Sequence, residues 1–125
     1  MIVPLLVLCT VVGTAPAPPE SPSKSDLRVL YLGAVPSERA TAYGDYLREH
    51  FADVVVADRD SFDPAGVERD RVVLLDWSQS EIDIMKMGEI RSPLGAREAW
   101  RNPTVLLGSA GLIIAGPWRL TGGSG

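Results

Sequence analysis

A chain of 125 residues has room for a single domain. Its net charge of −4 comes without any cluster of Lys and Arg, which argues against a nucleic-acid partner, because phosphate binding relies on concentrated cations. The one cysteine, Cys9, falls inside the first 17 residues, so a chain that loses them has neither disulfides nor thiolate chemistry.

Residues 1–17 (MIVPLLVLCTVVGTAPA) carry no charge. The apolar run from Ile2 to Gly13 is too short to cross a bilayer core of about 30 Å as a helix, yet it suits the core of a secretory signal. Ala15 and Ala17 supply the small residues that precede a signal-peptidase cut. The sequence therefore predicts a signal peptide over 1–17 and an exported mature chain, periplasmic or extracellular, without a membrane span. No Lys or Arg precedes the run, and Pro18 follows the predicted cut, so an uncleaved N-terminal membrane anchor and a misplaced start codon stand as alternatives. A lipoprotein signal is disfavoured, because Leu8 rather than a small residue precedes Cys9. The Pro- and Ser-rich stretch at 16–25 (PAPPESPSKS) buries too little apolar surface to fold and predicts a flexible tether over 18–26. The domain then runs over 27–125.

Four short apolar runs follow: 27–32 (LRVLYL), 54–57 (VVVA), 72–75 (VVLL) and 104–107 (TVLL). They are rich in β-branched residues and nearly continuous, the pattern of strands covered on both faces in a parallel sheet. After the first run, Ser37 can cap a helix whose first turn holds Glu38, and Ala40, Tyr43, Leu47 and Phe51 share one helical face. Gly44 weakens that helix by up to about 1 kcal/mol. The connection at 58–71 predicts two helical turns starting near Pro64. Residues 78–103 are long enough for a helix and a loop, broken near 92–95, with a second short helix at 94–100 (LGAREAW). The last run leads into GLIIAGPWRL at 111–120 and then TGGSG, which leaves the final helix or strand pair incomplete and predicts a fragment. No internal repeat is present. Strand and helix alternate throughout, which predicts an α/β, doubly wound parallel sheet with flanking helices and right-handed crossovers.

Ligands of an open parallel sheet bind in the crevice at the carboxyl ends of its strands. Three loops should converge there: 33–39, 76–81 and 108–111. Asp76 ends a buried strand, where a carboxylate can act as a base, bind a sugar hydroxyl or cap the next turn. Trp77 can stack on a sugar ring or pack against the sheet. Ser78 and Glu81 have the spacing of a capping box. Ser109 reads as a cap or turn residue, as a ligand contact together with the Gly108 and Ala110 amides, or as a nucleophile. The amides at such a helix start can hold an anion. A nucleophile elbow has Gly-x-Ser-x-Gly, but Leu107 stands at the first glycine and no histidine follows to act as base.

Other chemistries find little support. Asp58 lies where a dinucleotide fold places its ribose-binding acid, yet GAVPSE at 33–38 has one glycine where the fingerprint needs three, and Pro36 removes an amide. Arg39, Arg91, Arg97 and Arg101 read as a solvated face, with an anion clamp as the alternative. Met85 and Met87 read as core or interface fillers rather than metal ligands. The residues predict no metal and no cofactor.

The stretch 103–123 (PTVLLGSAGLIIAGPWRLTGG) resembles the strand, elbow and helix of class I glutamine amidotransferase-like domains. In that family a strand enters a Gly-x-Cys turn, an apolar helix follows and a Gly-Gly pair closes the unit. Gly108 takes the place of the family glycine and Gly122 and Gly123 that of the closing pair, which puts Ala110 where the nucleophilic cysteine would stand. The opening LRVLYLG and the VVLLDWSQSE at 72–81 are similar to the trehalose-utilisation (ThuA-like) branch, whose members often lack that cysteine. His50, the only histidine, lies well before the elbow, whereas the family's catalytic histidine follows it. The resemblance implies a flavodoxin-like fold over roughly 27–123, no glutaminase activity, and a role in binding or processing a small polar ligand, such as a carbohydrate, at Asp76, Trp77, Ser78, Glu81, Gly108, Ser109 and Ala110. The alternative is a non-catalytic protein-interaction module tethered at the envelope.

Overall fold

A computed structural model describes Gly13, residues 23–85 and residues 91–120. The predicted signal apart from Gly13, most of the tether, Cys9, Met87 and the Gly122–Gly123 pair lie outside the described residues. Strands β1 (Ser25–Gly33), β2 (Phe51–Asp58), β3 (Arg71–Trp77) and β4 (Thr104–Gly108) form one sheet in the order β2-β1-β3-β4. Every neighbouring pair is parallel. Helices α1 (Glu38–His50), α2 (Gln79–Ile84) and α3 (Ala110–Ala115) flank it. From β1, inside the sheet, the path steps outward to β2 and returns past β1 to β3. That order is flavodoxin-like, and the reversal between β1 and β3 is its topological switch point.

All four predicted runs are strands, each somewhat longer than its apolar core. Ser25 and Asp26, assigned to the tether by composition, already belong to β1, and Ser25 pairs with Phe51. β1 lies between β2 and β3, so consecutive residues Val29, Leu30, Tyr31 and Leu32 are all buried. Alternation then divides the core in two. Val29 and Tyr31 pack under α1 with Ala40 and Leu47, and Leu30, Leu32, Val73, Leu75 and Trp77 face Leu94, Ala110, Ile113 and Ile114 on the other side. Each such aliphatic side chain contributes about 1.5–3 kcal/mol by leaving water.

The Ser37 cap forms as expected, its side chain accepting from the Ala40 N–H at 3.1 Å. Gly44 is buried on the same helix, and a Cβ there would come within 3.0 Å of Val56 Cγ2. The glycine that weakens the helix also lets it lie close to the sheet.

Two expected helices are absent. The 58–71 connection holds only single 3₁₀ turns at Arg59–Ser61 and Pro64–Gly66; Asp63 caps the second, and Val67 after it is already extended. The stretch 94–100 makes turns, because Gly95 adopts a left-handed φ of 71° just where a helix would start. Trp118 Nε1 donates to the Gly95 carbonyl at 2.9 Å and fixes that turn.

At the amino ends of the strands, opposite the crevice, Arg28 binds Asp53 at 2.9 Å and Asp70 at 3.0 Å, and Arg71 binds Asp53 at 2.9 Å and Glu68 at 3.0 Å. The guanidiniums of Arg71 and Arg28 hold the Asp53 carboxyl below the usual range, and Arg28 does the same to Asp70. Among the described residues, no helix is long and apolar enough to cross a membrane.

Candidate functional site

The pleat of β3 turns Asp76 and Trp77 to opposite faces, so the two do not share a cleft. Asp76 points to the α1 side and its carboxylate is almost wholly buried at 2% exposure. Tyr31 donates its hydroxyl to Oδ2 at 2.6 Å. Arg39, in the first turn of α1, grips the same carboxylate side-on, with Nε at 2.6 Å from Oδ2 and Nη2 at 2.8 Å from Oδ1. Charge-assisted pairs of this kind are the strong class of hydrogen bond. Tyr43 stacks on Tyr31 at 5.2 Å between ring centroids and lies 5.1 Å from the Arg39 guanidinium. Burial first, and then the anion of Asp76, push the Tyr31 phenol well above its ordinary pKa, so it remains a donor.

Trp77 lies on the other face beneath Arg59, whose guanidinium sits 4.1 Å from the indole centroid. Arg59 Nη1 donates to the Asp76 backbone carbonyl at 2.9 Å, Nη2 donates to Glu81, and Nε is buried with no partner among the described residues. The other carboxylate oxygen of Glu81 accepts from the Ser78 N–H and hydroxyl, both at 2.8 Å. Ser78 and Glu81 thus form the expected capping box at the start of α2, and Glu81 adds an ion pair to it. Burial alone would raise the Glu81 carboxyl, but Arg59 and Ser78 together bring it below the usual range.

At the β4–α3 elbow, Gly108 takes φ 57°, and the Ser109 N–H donates to the Trp77 carbonyl at 2.7 Å. A Cβ on Gly108 would lie 2.3 Å from that carbonyl oxygen and 3.2 Å from Arg39 Nη2. The Ser109 hydroxyl makes no cap bond to α3; it donates to Gln79 Oε1 at 2.8 Å, because its backbone is not in the extended conformation of a capping residue. Ala110 is fully buried in the core. His50 is exposed at the far end of α1, against Tyr46 at 4.5 Å.

Tyr31, Ser37, Arg39, Asp76, Ser78 and Glu81 line a cleft of about 230 Å3 at the switch point. The structure therefore brings together three predicted residues, Asp76, Ser78 and Glu81, with Gly108 bordering them through Arg39. Trp77 faces a different cleft of about 400 Å3 with Arg59, Phe62, Met85, Arg91 and Pro93, while Ser109 and Ala110 line neither. Among the described residues, no group of three or more His, Cys, Asp or Glu could hold a metal.

Sequence reasoning missed Tyr31 and Arg39. A tyrosine inside a run buried on both faces needs a partner for its hydroxyl, which was the available signal for Tyr31. Arg39 was grouped with scattered surface charge, although a first-turn position after the β1 loop aims a long side chain at the strand ends. No family model matches the chain, and no curated protein and no solved structure matches it.

Proposed function

We propose that this chain is an exported domain of the class I glutamine amidotransferase-like superfamily, in its ThuA-like branch, that binds or processes a small polar ligand, a carbohydrate, without hydrolysing glutamine. The observation that carries the proposal is the buried Asp76 carboxylate, fixed by Arg39 and Tyr31 in a cleft at the switch point. Burying the Asp76 carboxylate carries a desolvation cost that apolar packing would avoid, so its position at the ligand crevice favours a binding role. The apolar run at 2–13 supports export. Ala110, in the place of the family nucleophile, supports the lack of glutaminase activity.

Titrating isotope-labelled protein with D-glucose and D-galactose tests this by NMR. Amide shifts are expected at 31–39 and 76–81, and they are lost in Asp76→Asn. Shifts confined to the Trp77 face, or none, would overturn the proposal. A second role, as a protein-interaction module, is favoured by β4, whose Val105 and Leu106 are exposed on a sheet edge. Val105→Glu would abolish such a contact and leave ligand binding intact.

A further inference from the structure

Resting on the assignment of this cleft as a ligand site, we propose that its ligand carries a carboxylate, as a sugar acid does, and that Arg39 binds that carboxylate end-on. The hydrogen-bonding groups of the cleft are unequally spent. A guanidinium has five N–H donors in a planar fork. Arg39 uses Nε and Nη2 on Asp76, and its Nη1 has no partner among the described residues. Its side chain remains 40% exposed and lines the cleft. Each carboxylate keeps only about one of its four acceptor sites. Asp76 already accepts from Tyr31 and twice from Arg39, and Glu81 accepts from Arg59 and twice from Ser78.

The donors still free in the cleft are gathered on the outer edge of Arg39, because the hydroxyls of Tyr31, Ser37 and Ser78 already donate to Asp76, the Ala34 carbonyl and Glu81. A carboxylate only accepts, and it matches the free edge of the fork with two parallel bonds. The grip of Asp76 fixes the plane of the guanidinium before any ligand arrives, which removes an ordering cost from binding. Tyr43 backs the guanidinium and the bare Cα of Gly108 leaves room for Nη2. At about 230 Å3 the cleft is smaller than the roughly 300–1,000 Å3 of most ligand pockets and suits a molecule of monosaccharide size.

Calorimetric titration of the full chain with D-gluconate, D-glucose and inorganic phosphate provides the test. D-gluconate is expected to bind about tenfold to a hundredfold more tightly than D-glucose, the span given by hydrogen bonds to a charged group. Arg39→Lys, which keeps the charge and loses the fork, should remove most of that margin. If the variant does not fold, the comparison of probes on the unaltered chain decides alone. Equal affinity for D-gluconate and D-glucose, lost together in Asp76→Asn, would overturn the carboxylate and leave the cleft assignment standing. Phosphate binding as tightly as D-gluconate would overturn a carboxylate in favour of any small anion. Failure of all three probes to bind would overturn both the carboxylate and the cleft.

Discussion

Gly108 is held at φ 57° with the Trp77 carbonyl oxygen 2.3 Å from where a Cβ would stand. Gly108→Ala therefore meets both a left-handed backbone and a backbone atom that cannot move aside without shifting β3. A loss of at least about 2 kcal/mol is expected, read as a lowered midpoint in urea denaturation. Tyr31→Phe removes a donor from a buried anion and changes little in shape. It should cost about 1.5–3 kcal/mol by the same measurement, the range for hydrogen bonds to charged groups. Asp76 was legible in the sequence as the polar end of an apolar strand. Its partner was not, because Arg39 lies 37 positions away and no local pattern marks a pairing at that distance.

The strands were legible as elements because continuous β-branched runs have few other homes than a sheet covered on both faces. The long helix was legible from its cap and its apolar face, and its one anomaly, Gly44, makes sense only against Val56 on the neighbouring strand. Gly44→Leu should raise helix propensity yet destabilise the protein by about 1–3 kcal/mol in thermal denaturation, because overpacking against β2 outweighs a propensity gain below about 1 kcal/mol. The connections at 58–71 and 94–100 read as helical because Asp63-Pro64 is a helix-start pattern and Ala96, Ala99 and Trp100 have helical spacing. Asp63, Pro64 and Gly66 close the first as a tight turn, and the left-handed Gly95 opens the second. α2 has only six residues, too few to persist alone. Ser78→Ala should cost about 1 kcal/mol through its cap.

At the scale of the whole molecule, the carboxyls of Asp53, Asp70 and Glu81, held below the usual range, join segments distant in sequence. A depressed carboxyl contributes stability that is fully present above its unfolded pKa and is lost as pH falls through its lower folded pKa. The melting temperature should therefore hold down to about pH 5 and fall below the usual carboxylate range of about pH 4. Glu81→Gln should lower the melting temperature at neutral pH and flatten that acid limb. The parallel sheet and the crevice followed from the alternation of elements, whereas the strand order was set by pairing, and the division of the candidate residues between two faces followed from the pleat at 76 and 77, whose phase is set only when β3 pairs with β1.

Arg39 joins the first helix to the third strand, beside the elbow that follows the fourth. Fraying of α1 alone would strand a buried anion, so helix and sheet should open together or not at all. In deuterium exchange, the amides of α1 and β3 are then expected to report one common opening event, and Arg39→Met would uncouple them by releasing the helix to exchange first.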